Sequence, residues 1–308
     1  MDPVLSLFRS AFSGRGDTLQ DRRDGYEDVL ARLPIPADVE IGEIRSGAVG
    51  GYWVDATGLA PTRTGLLLHG GGYVLGSARG YRACAAYISR ATRARVVIPD
   101  YRLAPEHPYP AAIEDALGAL DAVVGAGGPG SCFVIGDSAG GGLALSTMLA
   151  AHAAGRALPA CLVLVSAVVD LRAVNDSYDR CAGTDPFVSR AGVRRMAEWY
   201  LSGRPPAGAP WAFPMDADLS ALPPTLLLAG AGEVLADDAR HLAAKLADAG
   251  VRHEHAEYPD VTHAWTLFPS LLPEARAALA AIGAFVDAEA GGAPSGRSAD
   301  DLRRWLGA

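Results

Sequence analysis

The sequence predicts an α/β protein with a mostly parallel central sheet flanked by helices and covered by a helical cap. Three observations predict it. Apolar runs at 64–68, 95–99, 132–136, 161–166 and 225–229 alternate with helix-patterned stretches at 79–92, 111–124, 140–154, 236–249 and 273–288. Such alternation builds a parallel sheet, since each crossover lays a helix on one of its faces. With 308 residues, the chain can bury the core of one α/β domain, with or without a lid. Finally, two regions break the alternation, and both carry apolar side chains that must be covered.

The first of these regions is 1–35. It reads as two helices, 4–12 and 21–33, the second with Tyr26, Val29, Leu30 and Leu33 on one stripe. Weaker patterns at 40–45 and 50–54 suit antiparallel edge strands at the start of the sheet. The alternating 253–258 supplies a last strand. The second region, 174–224, separates two strands by about fifty residues, too long for a crossover. It is rich in Pro, Gly and aromatics, among them Tyr178, Phe187, Trp199, Tyr200, Trp211 and Phe213. The expected organisation is a cap segment at 1–40, a core at 41–173 and 225–290, a cap excursion at 174–224, and a tail at 291–308. In that tail a linker-like 291–297 precedes a short amphipathic piece at 299–306.

Half the residues are apolar and a fifth charged, which is ordinary for a globular protein. The net charge of −8 speaks against nucleic acid or an anionic membrane as partner. No run reaches the length of a membrane span, and residues 1–13 lack the apolar stretch of a secretion signal. Cys84, Cys132, Cys161 and Cys181 are widely spaced with no C-x-x-C, as expected of free thiols in a reducing compartment. A cytoplasmic location is therefore expected. No H-E-x-x-H and no phosphate-binding G-x-x-x-x-G-K-[ST] occurs, so neither a metal nor an organic cofactor is expected.

The chemistry is concentrated in Gly136-Asp137-Ser138-Ala139-Gly140, which follows an apolar strand and opens a small-residue helix. Strand, G-x-S-x-G, helix is the context that exposes a serine hydroxyl on a sharp turn. With 36 glycines in the chain, the motif alone is weak. A second feature strengthens it: His69-Gly70-Gly71-Gly72-Tyr73, again directly after an apolar run. A loop of glycines can aim several backbone N–H groups at one point, as a developing oxyanion requires.

A serine needs a base, and the base an orienting carboxylate, here in the chain order serine, acid, histidine. His152 lies within the helix leaving the serine, His241 within another, and His253 and His255 on a strand. His263 follows the last strand, where a loop returns to the top of the sheet. For the acid, Glu233 lies just beyond the strand at 225–229. Asp237 and Asp238 fall at a helix start, where they offset the free N–H groups. Asp260 remains a rival, three residues from the histidine. His69 is better suited to bracing the glycine loop than to taking a proton.

The HGGG run, Tyr101-Arg102-Leu103-Ala104-Pro105-Glu106-His107-Pro108 and Gly136-Asp137-Ser138-Ala139-Gly140-Gly141 stand in the order and spacing of a known family. From about residue 40 to 288 the chain resembles the bacterial hormone-sensitive-lipase-like esterases, which are α/β-hydrolases. The resemblance implies Ser138 as nucleophile, His263 as base, and the N–H groups of Gly71, Gly72 and Ala139 as oxyanion donors. It implies an N-terminal cap and frequent homodimers through a sheet edge. The family's acid is most often an aspartate in D-x-L-x-D. Here the matching positions read Glu233-Val234-Leu235-Ala236-Asp237, placing glutamate in that role.

The activity expected is hydrolysis, through an acyl-enzyme, of neutral esters with small to medium acyl chains. Tyr73, Trp211, Phe213 and Trp265 are expected to line an apolar pocket, with Trp199 and Phe268 nearby. Two rivals differ in class. One is an amide or lactone hydrolase, or a deacetylase of a secondary-metabolite intermediate, using the same residues. The other is a non-catalytic binding protein on a hydrolase scaffold, which would have no chemical reason to keep Ser138, His263, Glu233 and the glycine loop together.

Overall fold

The computed structural model describes residues 2–44, 49–57 and 61–291. The expected tail beyond 291 lies outside them. Helices α1 (Asp2–Phe12) and α2 (Leu19–Ala31) precede the sheet. Thr18 starts α2 through a reciprocal capping box with Asp21, which satisfies two N–H groups that the first turn leaves open. Strands β1 (Val39–Ile44) and β2 (Gly51–Ala56) follow, then β3 (Thr64–Leu68), α3 (Arg82–Thr92) and β4 (Arg95–Pro99). Next come α4 (Ala111–Gly127), β5 (Cys132–Asp137), α5 (Ala139–Ala153) and β6 (Cys161–Val165). A short α6 (Ser177–Arg180) and α7 (Arg190–Leu201) intervene before β7 (Thr225–Gly230), α8 (Ala236–Asp248), β8 (His253–Tyr258) and α9 (Pro273–Glu289).

The sheet has eight strands in the order β1-β2-β4-β3-β5-β6-β7-β8. β1 and β2 are antiparallel, as the weak early pattern suggests, and every pairing from β4 to β8 is parallel. The central strands are apolar throughout because both faces are covered. Cys132 and Val134 of β5 join the core beneath α4, α5 and α8, while Phe133 and Ile135 join the core beneath α3 and α9. Leu66 and Leu68 against Leu67 on β3 divide in the same way. Successive residues thus serve opposite layers.

The carboxyl ends of the parallel strands share one edge, and the chain leaves that edge at His69 after β3, Ser138 after β5 and Ser166 after β6. Glu233 follows β7, and His263 follows β8. Helices α1 and α2 pack together above this edge, and the loop before α7 meets them where the Phe8 and Phe187 rings lie 4.3 Å apart. The region 174–224 divides in two. Residues 186–196 reach the site, whereas the short turns at Pro210–Ala212 and Pro214–Asp216 lie against α5. The expected helix at 79–92 begins only at Arg82 because Ser77 closes a turn ahead of it, accepting from Gly80 N–H at 2.9 Å.

Candidate active site

Ser138 joins β5 to α5 with φ 54° and ψ −125°, a sparsely populated conformation that costs on the order of 1–3 kcal/mol. Its neighbours hold it there. Ser138 N–H donates to Val165 O at 2.9 Å, and its carbonyl accepts from Gly141 and Val168, each at 3.0 Å. The turn is possible only with glycine on either side. A Cβ on Gly136 would stand 2.2 Å from Gly140 O, and one on Gly140 would stand 2.1 Å from Leu68 O. Both obstacles are backbone and cannot swing aside.

His263 Nε2 lies 2.9 Å from Ser138 Oγ, and its Nδ1 lies 3.1 Å from Glu233 Oε2. With Nδ1–H donating to the carboxylate, Nε2 is left to accept the serine proton. Glu233 is fully buried and His263 nearly so. Burial alone depresses the imidazole, but the hydrogen bond and charge of Glu233, backed by Asp185 and Asp137, lift it above its ordinary value. Glu233 Oε1 accepts from Gly230 N–H at 2.6 Å and from the Ser166 hydroxyl at 2.8 Å.

The rival carboxylates go elsewhere. Asp237 accepts from Ser177 N–H, Arg180 and Arg240. Burial opposes its ionisation, yet those donors hold it down to about 2. Asp238 accepts from Val169 N–H and Asn175, and burial pushes it up to about 7. Both therefore tie the 169–180 segment to α8, beyond the helix-start role expected of them. Asp260 is exposed in a turn at φ 58°. Of the other histidines after Ser138, His241 meets Asn175 and His253 the Val251 carbonyl.

The glycine loop turns with Gly71 at φ 115° and Gly72 at φ 64°. A side chain on Gly72 would also strike Met196 of α7, whose Sδ stands 2.0 Å from the position of such a Cβ. Among the described residues none accepts a hydrogen bond from the N–H of Gly71, Gly72 or Ala139, and all three residues line the cavity at Ser138. His69 braces the loop: its Nδ1 meets Gly70 O at 2.8 Å, and Tyr101 OH donates to His69 O at 2.7 Å. Burial holds the His69 ring down at about 4, so it stays neutral at ordinary pH.

The cavity measures about 490 Å³ and opens onto Ser138 and His263. Of the four pocket residues expected from sequence, Tyr73 lines it and three do not. Trp265 is fully buried on the α9 side, packed on Tyr258 at 4.5 Å, because Ala264 at φ 64° turns the chain away. Phe213 is buried beneath Arg172, which lies over its ring. Trp211 packs against the same core. The aromatic wall is instead Phe8 and Phe12 of α1 with Phe187, and Val193 and Met196 of α7 complete an apolar lining. Arg9 and Arg22 also border the cavity, with Arg22 paired to Asp17.

Sequence reasoning also passed over Ser166, Asp137 and Asp185. Asp137 is the variable position of the G-x-S-x-G and is buried, its carboxylate accepting from Gly70 N–H and Tyr81 OH. Burial outweighs those donors and raises it to about 6. Asp185 accepts from Phe187, Val188 and Val234 N–H groups, joining the pocket wall to the Glu233 loop. A charged residue beside the serine was the one available signal. Ser166, at the end of an apolar strand, offered none.

Comparison with known proteins agrees with this geometry. A family model of the α/β-hydrolase fold matches residues 66–267. The chain is 40% identical to an acetyl-hydrolase of Streptomyces hygroscopicus, over 93% of this chain and 95% of that protein. It is 33% identical to an esterase of Acinetobacter venetianus, over 84% and 86%. The crystal structure of an esterase from the bacterial hormone-sensitive lipase family superposes with a TM-score of 0.89 at 38% identity, covering 94% of this chain and 98% of that one. The chain belongs to the α/β-hydrolases, in their hormone-sensitive-lipase-like esterase family, and is a serine hydrolase.

Proposed function

We propose that the protein hydrolyses neutral carboxylic esters with small to medium acyl chains through a covalent acyl-enzyme. The observation that carries this reading is the line from Glu233 through His263 to Ser138 Oγ, at 3.1 and 2.9 Å, beside the unengaged N–H groups of Gly71, Gly72 and Ala139. Glu233 holds the imidazole with Nδ1 protonated. His263 takes the Ser138 proton as Oγ attacks the ester carbonyl, and the three N–H groups receive the oxyanion. The protonated His263 then donates to the leaving alcohol, and water, deprotonated by the same ring, cleaves the acyl-enzyme.

The substrate class is supported by a cavity of about 490 Å³ with a mainly apolar wall. The test is a series of p-nitrophenyl esters from acetyl to decanoyl, with active sites counted by an organophosphate. The reading requires stoichiometric labelling of Ser138 and an optimum at short or middle chain length. A second reading, an amide hydrolase or deacetylase using the same triad, has in its favour the similarity to a protein named an acetyl-hydrolase. Rates on an ester and its isosteric amide separate the two, because an amine leaving group depends more heavily on protonation by His263. The same proposal places the enzyme in the cytoplasm, supported by the four cysteines, all free. It also allows a homodimer through an edge strand, β1 or β8.

A further inference from the structure

A chain of hydrogen bonds runs from the cap helix α2 to the glycine loop. Tyr81, just before α3, is fully buried, and its hydroxyl donates to Asp137 Oδ2 at 2.8 Å. That donation uses its one hydrogen, so in the 2.8 Å contact between the Tyr26 and Tyr81 hydroxyls Tyr26 is the donor. Gly70 N–H completes the set, reaching Asp137 Oδ1 at 2.9 Å and the Tyr81 oxygen at 3.1 Å. Asp137 immediately precedes Ser138, and Gly70 immediately precedes Gly71. The carboxylate therefore pins together the backbone on both sides of the site where an oxyanion would sit.

We propose that Tyr26 and Tyr81 are positioning residues that set the glycine loop through Asp137, so that seating α2 on the core shapes the oxyanion site. The proposal rests on the acyl-transfer reading above. Its physical basis is that Gly70, Gly71 and Gly72 have no side chains with which to pack. Their N–H directions must be fixed by partners outside the loop, and pre-set donors are what an oxyanion site needs. Tyr26 lines the cavity as well, so the chain begins where substrate arrives. Other bonds keep α2 docked. Arg23 reaches Glu106 at 2.7 Å and Val74 O at 2.8 Å, and Glu27 accepts from Ser77 at 3.1 Å. Removing the Tyr26 hydroxyl thus cuts the chain without releasing the helix.

The experiment compares Tyr26→Phe, Tyr81→Phe and the double variant in the full-length protein, with Gln20→Ala, exposed on the same helix, as a control. Readouts are kcat and KM on a p-nitrophenyl ester and the affinity of an alkyl boronic acid, which forms a tetrahedral anion on Ser138. Tyr26→Phe should lower kcat and boronate affinity by the same factor, roughly fivefold, the worth of one net hydrogen bond, with KM little changed. Tyr81→Phe should cost more, and the double variant no more than Tyr81→Phe alone, because the chain is already cut. Gln20→Ala should leave all three values unchanged. An active parent whose Tyr26→Phe variant keeps its kcat and boronate affinity, or a double variant whose losses simply add, overturns the proposal. A parent that neither hydrolyses esters nor is labelled at Ser138 overturns the functional reading beneath it, a visibly different result.

Discussion

Ser166 donates its hydroxyl to Oε1 of Glu233 at 2.8 Å, and this decides which oxygen the histidine meets. Gly230 N–H takes the same oxygen at 2.6 Å, leaving Oε2 to His263 at 3.1 Å. A glutamate has one more rotatable bond than the aspartate usual in this family, hence more freedom to lose on ordering. Two fixed donors on Oε1 remove that freedom before substrate arrives. They explain how the longer side chain serves at this position.

Glu233→Gln should lower kcat on the order of a thousandfold, because the ring loses the charge that orients it and stabilises its protonated form. Ser166→Ala leaves the Gly230 donor in place and should cost only about tenfold, again in kcat rather than KM. Asp260→Asn should be nearly silent. Asp237→Asn weakens the contacts to Arg180 and Arg240, so its loss should appear as a lowered Tm. Steady-state kinetics on all four variants checks the assignment. A larger kcat loss in Asp237→Asn or Asp260→Asn than in Glu233→Gln would show that the wrong carboxylate has been chosen.

Ser138→Ala should abolish organophosphate labelling and nearly all ester hydrolysis while leaving the fold intact. The substitution leaves the Cβ in place, so the strain at the positive φ is no greater, and the backbone hydrogen bonds that hold it do not involve the lost hydroxyl. Intact-mass spectrometry after labelling, with a melting curve, provides the check. Stoichiometric labelling of the variant would move the nucleophile elsewhere.

The acid limb of kcat/KM should lie above the ordinary histidine value of roughly 6.5, since burial, which lowers His263, is outweighed by Glu233 together with Asp185 and Asp137. The sign follows from the mechanism. Only the neutral ring accepts the Ser138 proton, so activity falls as pH drops through the raised value. For stability the direction is opposite: the raised group stabilises the fold below its unfolded value, and that contribution is lost as pH rises through the folded one. Glu233→Gln removes the main raising influence and leaves burial, so the limb should move to lower pH. An NMR titration of the His263 ring in both proteins measures this directly, apart from Asp137, whose carboxyl burial raises to about 6. A ring that titrates at the same pH in both would contradict the account.

How far the sequence reached depends on the range of the interactions involved. Ser138 and the glycine loop were legible because each is a strand-end turn whose residue types answer to local sterics. His263 and Glu233 followed from where their loops leave the sheet. Trp265 is near His263 along the chain but not in the pocket, because the turn at Ala264 separates them. The aromatics at 211 and 213 were correctly read as needing cover, but composition does not say which surface supplies it, and α5 does. Phe8 and Phe12 carried no signal beyond an apolar helix. Their role arises from the docking of α1 against Phe187, a contact across more than half the chain.

Deleting residues 1–35 would be a poor probe of the pocket, because Val4, Val29, Leu30 and Leu33 are buried in the core shared with α3 and α9. Point variants serve better. Met196 packs over Gly72 from α7, and Phe8 closes the seam between α1 and the loop at Phe187. Met196→Ala removes three heavy atoms from the wall, enough to admit about two further methylenes. Each methylene buried contributes roughly 0.8 kcal/mol, about fourfold in kcat/KM. Both variants should therefore move the chain-length optimum upward, with acetyl and butyryl esters little improved and octanoyl esters gaining on the order of tenfold. Sedimentation should first show the Phe8→Ala protein monodisperse, since the change bares apolar surface. The measurement is kcat/KM across p-nitrophenyl esters from acetyl to decanoyl. If neither variant shifts the optimum, α1 and α7 do not bound the acyl chain. A short-chain optimum, if measured, must then be set closer to the serine, at Tyr73, Val168 and Leu171, which line the same cavity.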